Sequence, residues 1–561
     1  MIKGETFVDI LYAQYFFRDF YYTGEYTVIN ASKLVCELES KYSMNQEYEG
    51  QIRSNLIDII TKENKGNIKL IFEFNASLKE DGYILEITKE MITVTSSNKR
   101  GIQYAIDALG IIIENIDGCI KLPIVTIHDE PSFRIRGIIE GFYGEPWSFD
   151  DRMDSVSFMA KHRMNTFFYA PKDDEYHRKL WREPYPEENI KKIQLLKKHC
   201  DDNYIDFYYC ISPGNDIKFT SIEDVEKLKE KLRAMISIGI RNFAILMDDI
   251  DYVLKDQNKD FFERSGVSHA YLVNVINQFL KQTLYQYNLV MCPSEYWSYW
   301  DTEYKKDIRD LMDSEVLVFW TGFFVFAPTI NLEQAKNNRL FYGHDFILWD
   351  NIPVNDADPD RIFLGPVRNR YSKLNELGHV GFVSNPMNQW ELSKIPLITL
   401  SHYMWNCERY IPEYSWEKAI QEFAPDFPSE MRFFCENNDN KRLYFKENEE
   451  ILKAIQSRDI NYLDSYFTKL SSTIKHLKKM NNPKFHIEVK PWFERAEMDI
   501  RLWEYIKTCE DKNNSCILQK LKSLVDQCQE HKFVIGTDVA MKVVKEWNYV
   551  SSEESNSKEV Q

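Results

Sequence analysis

Asp248 and Asp249 stand side by side directly after the apolar run Phe243-Ala244-Ile245-Leu246-Met247. Carboxyl groups trade protons readily with oxygen, and two adjacent ones repel, which favours keeping one of them protonated as a general acid requires. The same pair also fits a helix N-cap or a cation site, because Asp is common after strands. Position alone leaves these readings level. Similar apolar runs close on Gly141-Phe142-Tyr143-Gly144, Lys172-Asp173-Asp174, Glu295-Tyr296, Trp349-Asp350-Asn351 and Asn385. Carboxylates move protons, Asn and Asp bind hydroxyls, and an aromatic face stacks on a pyranose ring. That mixture is what cleavage of a glycosidic bond needs. Singly, each has an ordinary reading: Trp349 as core, and Asn385 before Pro386 as a turn former. Their joint position is what carries weight. No His cluster or metal-like spacing accompanies them, so neither metal nor cofactor is expected.

The elements that must position these residues follow from the hydropathy pattern. Eight short apolar runs occupy 135–144, 166–174, 207–215, 243–249, 289–296, 316–322, 346–351 and 380–386. Amphipathic helical stretches lie between most of them, at 151–162, 189–200, 222–236 and 270–285. Near-continuous apolar strands alternating with helices imply parallel pairing covered on the outside. Eight such units predict an α/β fold, a (β/α)₈ TIM barrel over 131–410, with its chemistry at the C-terminal strand ends. The last units are less regular. Residues 1–130 read as an α+β domain, with strands at 68–74, 83–88, 91–95 and 122–127 and a helix at 100–114. Residues 411–550 read as helical, with segments at 447–457, 462–480, 492–509, 516–531 and 538–547. The polar tail 551–561 reads as disordered.

The 561-residue chain carries a formal net charge of −17, which argues against a nucleic-acid binder and is indifferent to an uncharged sugar. Its ten cysteines form no CxxC pair, and several sit in apolar runs, so they read as reduced thiols. The N-terminus lacks the pattern of a secretory signal, and no stretch has the length of a membrane span. A cytoplasmic protein is the expectation. The C-terminal helices read as packing core, with a homodimer interface or a platform for a protein substrate as the alternative.

Seven segments carry a resemblance. RGIIEGFYGEPW (136–147), YAPKDDEYHRKLWREPYP (169–186), ISPGNDIKF (211–219), MDDI (247–250), PSEY (293–296), WDNIPVND (349–356) and SNPM (384–387) resemble glycoside hydrolase family 84. This family holds O-GlcNAcases and bacterial β-N-acetylglucosaminidases, some of them known as hyaluronidases. The resemblance is strong over about 120–410, and the leading α+β unit also matches the family's small first domain. It implies substrate-assisted hydrolysis, in which the acetamido oxygen of the sugar attacks C1 to give an oxazoline. Carried over by motif, Asp248 orients the acetamido N–H and Asp249 is the general acid and then base. Tyr296 hydrogen-bonds near the acetamido group, Asn351 contacts the acetamido group or the ring, Trp349 forms part of the pocket wall, and Asp356 binds O4 and O6. Asn385 binds another hydroxyl, Lys172 lies on the O3 side, and Gly141 brings its carbonyl close to a sugar that a Cβ would strike.

Two departures stand out. After Trp320-Thr321-Gly322 the family continues with Pro, whereas this chain has Phe323-Phe324, on a loop near the leaving-group side. Asp350 resembles the O-GlcNAcase form of its motif rather than the double-Trp bacterial form. The expected activity is exo-hydrolysis of β-linked N-acetylglucosamine from proteins or glycans. Endo-hydrolysis of a glycosaminoglycan and non-catalytic binding of N-acetylglucosamine are the alternatives; the acidic charge disfavours the first and the paired carboxylates the second.

Overall fold

In the computed structural model, residues 16–30, 34–40, 57–60, 67–250, 254, 261–444, 448–508 and 515–549 are described. The expected tail at 551–561 and most of the leading segment lie outside them.

Eight strands build the N-terminal sheet: β1 (Asp19–Ile29), β2 (Leu34–Ser40), β3 (Ile57–Ile60), β4 (Ile68–Phe74), β5 (Tyr83–Ile87), β6 (Met91–Ser96), β7 (Glu114–Ile116) and β8 (Cys119–Asp129). They pair in the order β1-β8-β5-β6-β4-β2-β3, with β7 beside β8. β6 alternates half-buried and buried residues, the period-two pattern of a sheet with one face on a core. That core is completed by the helix Lys99–Ile112, which packs Ile102, Ala105, Ile106 and Leu109 onto the sheet. Asn98 caps this helix by accepting the Gly101 N–H at 2.8 Å. The sequence pattern marks β4, β5, β6 and β8 and misses β1, β2, β3 and β7.

The predicted barrel is present and closed. Its strands are β9 (Ile135–Glu140), β10 (Thr166–Tyr169), β11 (Asp206–Ile211), β12 (Asn242–Leu246), β13 (Asn288–Cys292), β14 (Leu317–Trp320), β15 (Phe346–Asp350) and β16 (His379–Ser384). All eight neighbouring pairs are parallel. β9, β10, β14 and β15 are buried at every residue, because helices cover one side and inward side chains fill the other. The interior column includes Phe168, Tyr208, Phe319, Ile347 and Trp349, with Phe168 and Tyr208 stacked at 4.2 Å. The irregularity expected of the last units lies between β15 and β16. A long loop carrying only the short 3₁₀ turn Leu374–Leu377 stands there in place of a helix.

The N-terminal unit docks on the barrel end opposite the C-terminal strand ends. Asp81 accepts from Arg136 Nη2 at 2.9 Å and Asn165 Nδ2 at 3.0 Å, both at the starts of barrel strands. Asp129 accepts from Arg163 Nη1 and Trp405 Nε1 at 3.1 and 2.9 Å. These buried carboxylates are fully paired, as charge in an apolar junction must be. At the C-terminal side, the helix Trp390–Trp405 is buried along almost its whole length. The helices Pro412–Phe423, Pro428–Asn437, Glu449–Ser457, Ile460–Leu477, Pro483–Lys507, Ser515–Glu530 and Val539–Glu546 follow. Their apolar faces form one continuous core with the barrel's outer shell. No helix among the described residues is long and apolar enough to cross a membrane.

Candidate active site

All nine residues singled out from the sequence line one cavity of about 230 Å³ at the C-terminal end of the barrel. They come from the ends of six strands: Gly141 from β9, Lys172 from β10, the aspartate pair from β12, Tyr296 from β13, Trp349, Asn351 and Asp356 from β15, and Asn385 from β16. Strand ends converge there because parallel barrel strands all point their C-termini to one rim.

Two consecutive strand residues ordinarily face opposite sides. Asp248 and Asp249 face the same cavity because the chain leaves the extended conformation between them, and Asp249 has φ of 47°. Asp is among the few side chains that tolerate this left-handed region. Their surroundings then diverge. Asp248 is buried and accepts from Lys172 Nζ at 2.7 Å. Asp249 is 37% exposed in its side chain and lies 3.9 Å from the same ammonium. Its Oδ2 accepts from the Tyr143 hydroxyl at 2.7 Å and its Oδ1 from the Tyr296 hydroxyl at 3.2 Å. The mutual repulsion of the two carboxylates is thus largely offset by Lys172. Burial is the largest single influence on Lys172 and would lower its pKa, but the charge and hydrogen bond of Asp248 together with Tyr143 and Asp249 outweigh it and hold the ammonium above the ordinary lysine value. Burial, and then the Asp249 charge, push the Tyr296 hydroxyl well above the usual tyrosine range, so it stays a donor.

The remaining polar residues form a chain around the opposite wall. Gly141 N–H donates to Asn385 Oδ1 at 3.3 Å, Asn385 Nδ2 donates to Asn351 Oδ1 at 3.0 Å, and Asn351 Nδ2 donates to the Val325 carbonyl at 2.8 Å. These bonds fix which amide atoms are free to meet a ligand. Asp356 accepts the Tyr143 N–H at 3.0 Å, which ties the β9 loop to the β15 loop. Trp349 belongs to the interior column and closes the cavity floor.

The glycine at 141 has a cause within the protein itself. A Cβ there would meet Trp349 Cζ2 at 2.6 Å and Cη2 at 3.1 Å, so it is the indole, a protein group, that requires the missing side chain. Neighbours of the chosen residues in the same motifs turn outward or inward to structural duties. Asp350 is a buried partner of Arg370, bound through both oxygens at 2.7 and 2.8 Å. Asp174 accepts from Tyr185 and Tyr169, and Glu295 from Thr302. Tyr143 also lines the cavity, and the sequence pattern does not single it out. It lies within the Gly141–Gly144 motif, but nothing in one strand end says that its hydroxyl crosses the cavity to Asp249. Cys292, Thr321, Val325, Phe326, Val354 and Ala357 also line the cavity and carry no signal that separates them from core. Eight cysteines, at 36, 119, 200, 210, 292, 407, 435 and 528, are free thiols. Among the described residues no group of three or more His, Cys, Asp or Glu is placed to hold a metal.

The family model described as beta-N-acetylglucosaminidase matches residues 136–436, more than half of the chain and the whole set of cavity residues. The chain belongs to this family, glycoside hydrolase family 84. Its residues 21–130 match a second model, domain 2 of glycosyl hydrolase family 20, which is the N-terminal sheet unit. Among curated relatives, the protein O-GlcNAcase of Rattus norvegicus is 33% identical over 271 residues, 47% of this chain and 29% of that protein. That of Mus musculus is 32% identical over the same length. The match therefore spans under a third of these relatives. Solved family 84 structures extend much further. CpGH84B aligns with a TM-score of 0.78 at 26% identity, covering 95% of this chain and 99% of its own. An O-GlcNAc hydrolase of Thermobaculum terrenum, solved as a mutant, aligns with a TM-score of 0.70 at 27% identity, over 74% of this chain and 94% of its own. CpGH84D, at 20% identity and a TM-score of 0.79, shares the fold.

Proposed function

We propose that this family 84 member is a retaining exo-β-N-acetylglucosaminidase that uses the acetamido group of its substrate as the nucleophile. The observation that carries this reading is the asymmetry of the aspartate pair: Asp248 is buried against an ammonium, while Asp249 is partly open and bound by two tyrosine hydroxyls.

Asp248, paired with Lys172, accepts the acetamido N–H and concentrates charge on the acetamido oxygen. That oxygen attacks C1 as the bond from C1 to the leaving oxygen breaks, and the leaving oxygen takes the proton of Asp249. An oxazoline forms. Water then attacks C1, Asp249 removes its proton, and the β-configured sugar is released. Tyrosine hydroxyls both donate and accept, so Tyr143 and Tyr296 follow Asp249 between its charged and protonated forms by rotating their hydrogens. Asn351, Asp356 and Asn385 hold the remaining polar groups of the sugar.

A cavity of about 230 Å³, floored by Trp349, suits one terminal sugar rather than the interior of a polymer, and supports exo over endo action. The substrate is β-linked N-acetylglucosamine on a protein or glycan. Turnover of an aryl β-N-acetylglucosaminide with release of the monosaccharide tests the activity. Tight inhibition by a thiazoline that mimics the oxazoline tests the mechanism. A thiazoline without effect removes the substrate-assisted step, and release of oligosaccharides rather than the monosaccharide from a longer β-N-acetylglucosamine-bearing glycan removes exo action.

A further inference from the structure

The departure at Phe323-Phe324 belongs to a larger feature. Segments 295–302 and 321–327 follow β13 and β14 and hold seven aromatic residues, with Glu295 and Asp301 as their only charged side chains. Both charges are engaged: Glu295 accepts from Thr302, and Asp301 pairs with Arg309 at 3.5 Å. Trp300 is 66% exposed, Phe324 43% and Trp297 40%. Tyr299, itself partly exposed, joins them, with ring centroids 4.9 Å from Phe323, 5.1 Å from Phe324 and 5.5 Å from Trp300. Exposed apolar rings gathered in one patch mark a ligand or partner site far more often than a scatter of single residues does.

Unlike an ordinary loop, this patch has a fixed backbone. Thr321 N–H donates to the Tyr296 carbonyl at 3.0 Å, and its hydroxyl donates to the Phe324 carbonyl at 3.0 Å. Trp297 and Gly322 form a parallel bridge. Gly322 has φ of 112°, and a Cβ there would come within 2.5 Å of Ala327, so the turn is closed to other residues. The buried Lys305 donates to the Trp300 carbonyl at 2.9 Å. A rigid aromatic surface loses little entropy when a ligand settles on it.

The patch is continuous with the cavity. Tyr296 of the first segment reaches Asp249, and Thr321, Val325 and Phe326 of the second line the cavity. A leaving group that takes its proton from Asp249 emerges beside these segments.

We infer that Trp300 and Phe324, supported by Tyr299, form a subsite for a neutral sugar ring on the leaving-group side. The inference rests on the glycosidase reading above and narrows it: the N-acetylglucosamine removed is attached to another sugar. Flat rings without free charge match the C–H face of a pyranose, whereas an ionic aglycone would find no counter-charge in these segments.

The test compares wild type, Trp300→Ala, Phe324→Ala and the double variant on three substrates. These are N,N′-diacetylchitobiose, methyl β-N-acetylglucosaminide and a peptide bearing N-acetylglucosamine on serine. Tyr285→Ala, a fully exposed residue away from these segments, is the control. The ratio of kcat/KM for the disaccharide to that for the methyl glycoside should fall about ten-fold in the double variant, mainly through KM. Thiazoline inhibition, which reads the glycone cavity alone, should hold. An unchanged ratio overturns the subsite, and so does a loss confined to the glycopeptide, which would make the patch a polypeptide platform. Wild type that turns over none of the three and binds no thiazoline would instead remove the glycosidase reading beneath it.

Discussion

Replacing Gly141 by Ala adds one methyl group, and the structure says where it goes. The new Cβ would lie 2.6 Å from Trp349 Cζ2 and 3.1 Å from Cη2. Carbon atoms rest at about 3.5–4.0 Å, so the indole must retreat by about 1 Å. It has little room, because Trp349 is buried in the interior column with its ring 5.2 Å edge-on from Phe319. Overpacking of this kind costs about 1–3 kcal/mol, and part of the strain will be relieved by moving the ring into the cavity. A shift of about 1 Å at a group that positions the substrate costs on the order of a hundred-fold in rate. The variant should therefore lose about a hundred-fold in kcat/KM and bind the thiazoline correspondingly more weakly, with only a modest fall in thermal stability. Trp349→Phe removes the atoms that clash, so the double variant Gly141→Ala/Trp349→Phe should be no worse than Trp349→Phe alone. Activity of Gly141→Ala within three-fold of wild type would refute the argument, as would additive losses in the double variant.

Other consequences are equally direct. Asp249→Asn should nearly abolish turnover of the methyl glycoside while sparing dinitrophenyl glycosides, whose leaving groups need no proton; equal losses on both would count against the acid role. Tyr143→Phe removes a 2.7 Å hydrogen bond to Asp249 and should lower kcat about ten-fold with the fold intact by circular dichroism. Arg370→Met strands the buried Asp350 charge and should destabilise the protein by about 3–5 kcal/mol in denaturant titrations. Glu488 accepts the Glu391 and Leu392 N–H groups at the start of the helix Trp390–Trp405, and burial pushes its pKa up to about 7. A carboxyl raised on folding contributes fully below its unfolded pKa and loses that contribution as pH rises through 7. The destabilisation caused by Glu488→Ala should therefore be larger at pH 5 than at pH 8, by about 3 kcal/mol; no change with pH would refute it.

The barrel was legible because each strand is an apolar run sealed on both faces and closed by polar residues, as in Phe243–Asp249. Where that contrast fades, the reading failed. β1 (DFYYTGEYTVI) mixes polar and aromatic residues on an exposed edge, and β7 is three residues long. The helix Trp390–Trp405 was missed because it is apolar all round, which erases the period that identifies a helix.

Sequence by itself determined which residues end the strands, hence the chemical types at the crown and the membership in family 84. Those are properties of local pattern and ordered motif. Tertiary structure alone decided what those residues do to one another. Asp350 and Asp248 look alike in sequence, yet one is bound by Arg370 outside the cavity and the other by Lys172 inside it. Gly141 serves the indole of a residue more than two hundred positions away, and Tyr143 reaches Asp249 across the barrel. Such pairings depend on closure, which brings β9 beside β16 and all eight strand ends to one rim, and no stretch of sequence contains both partners.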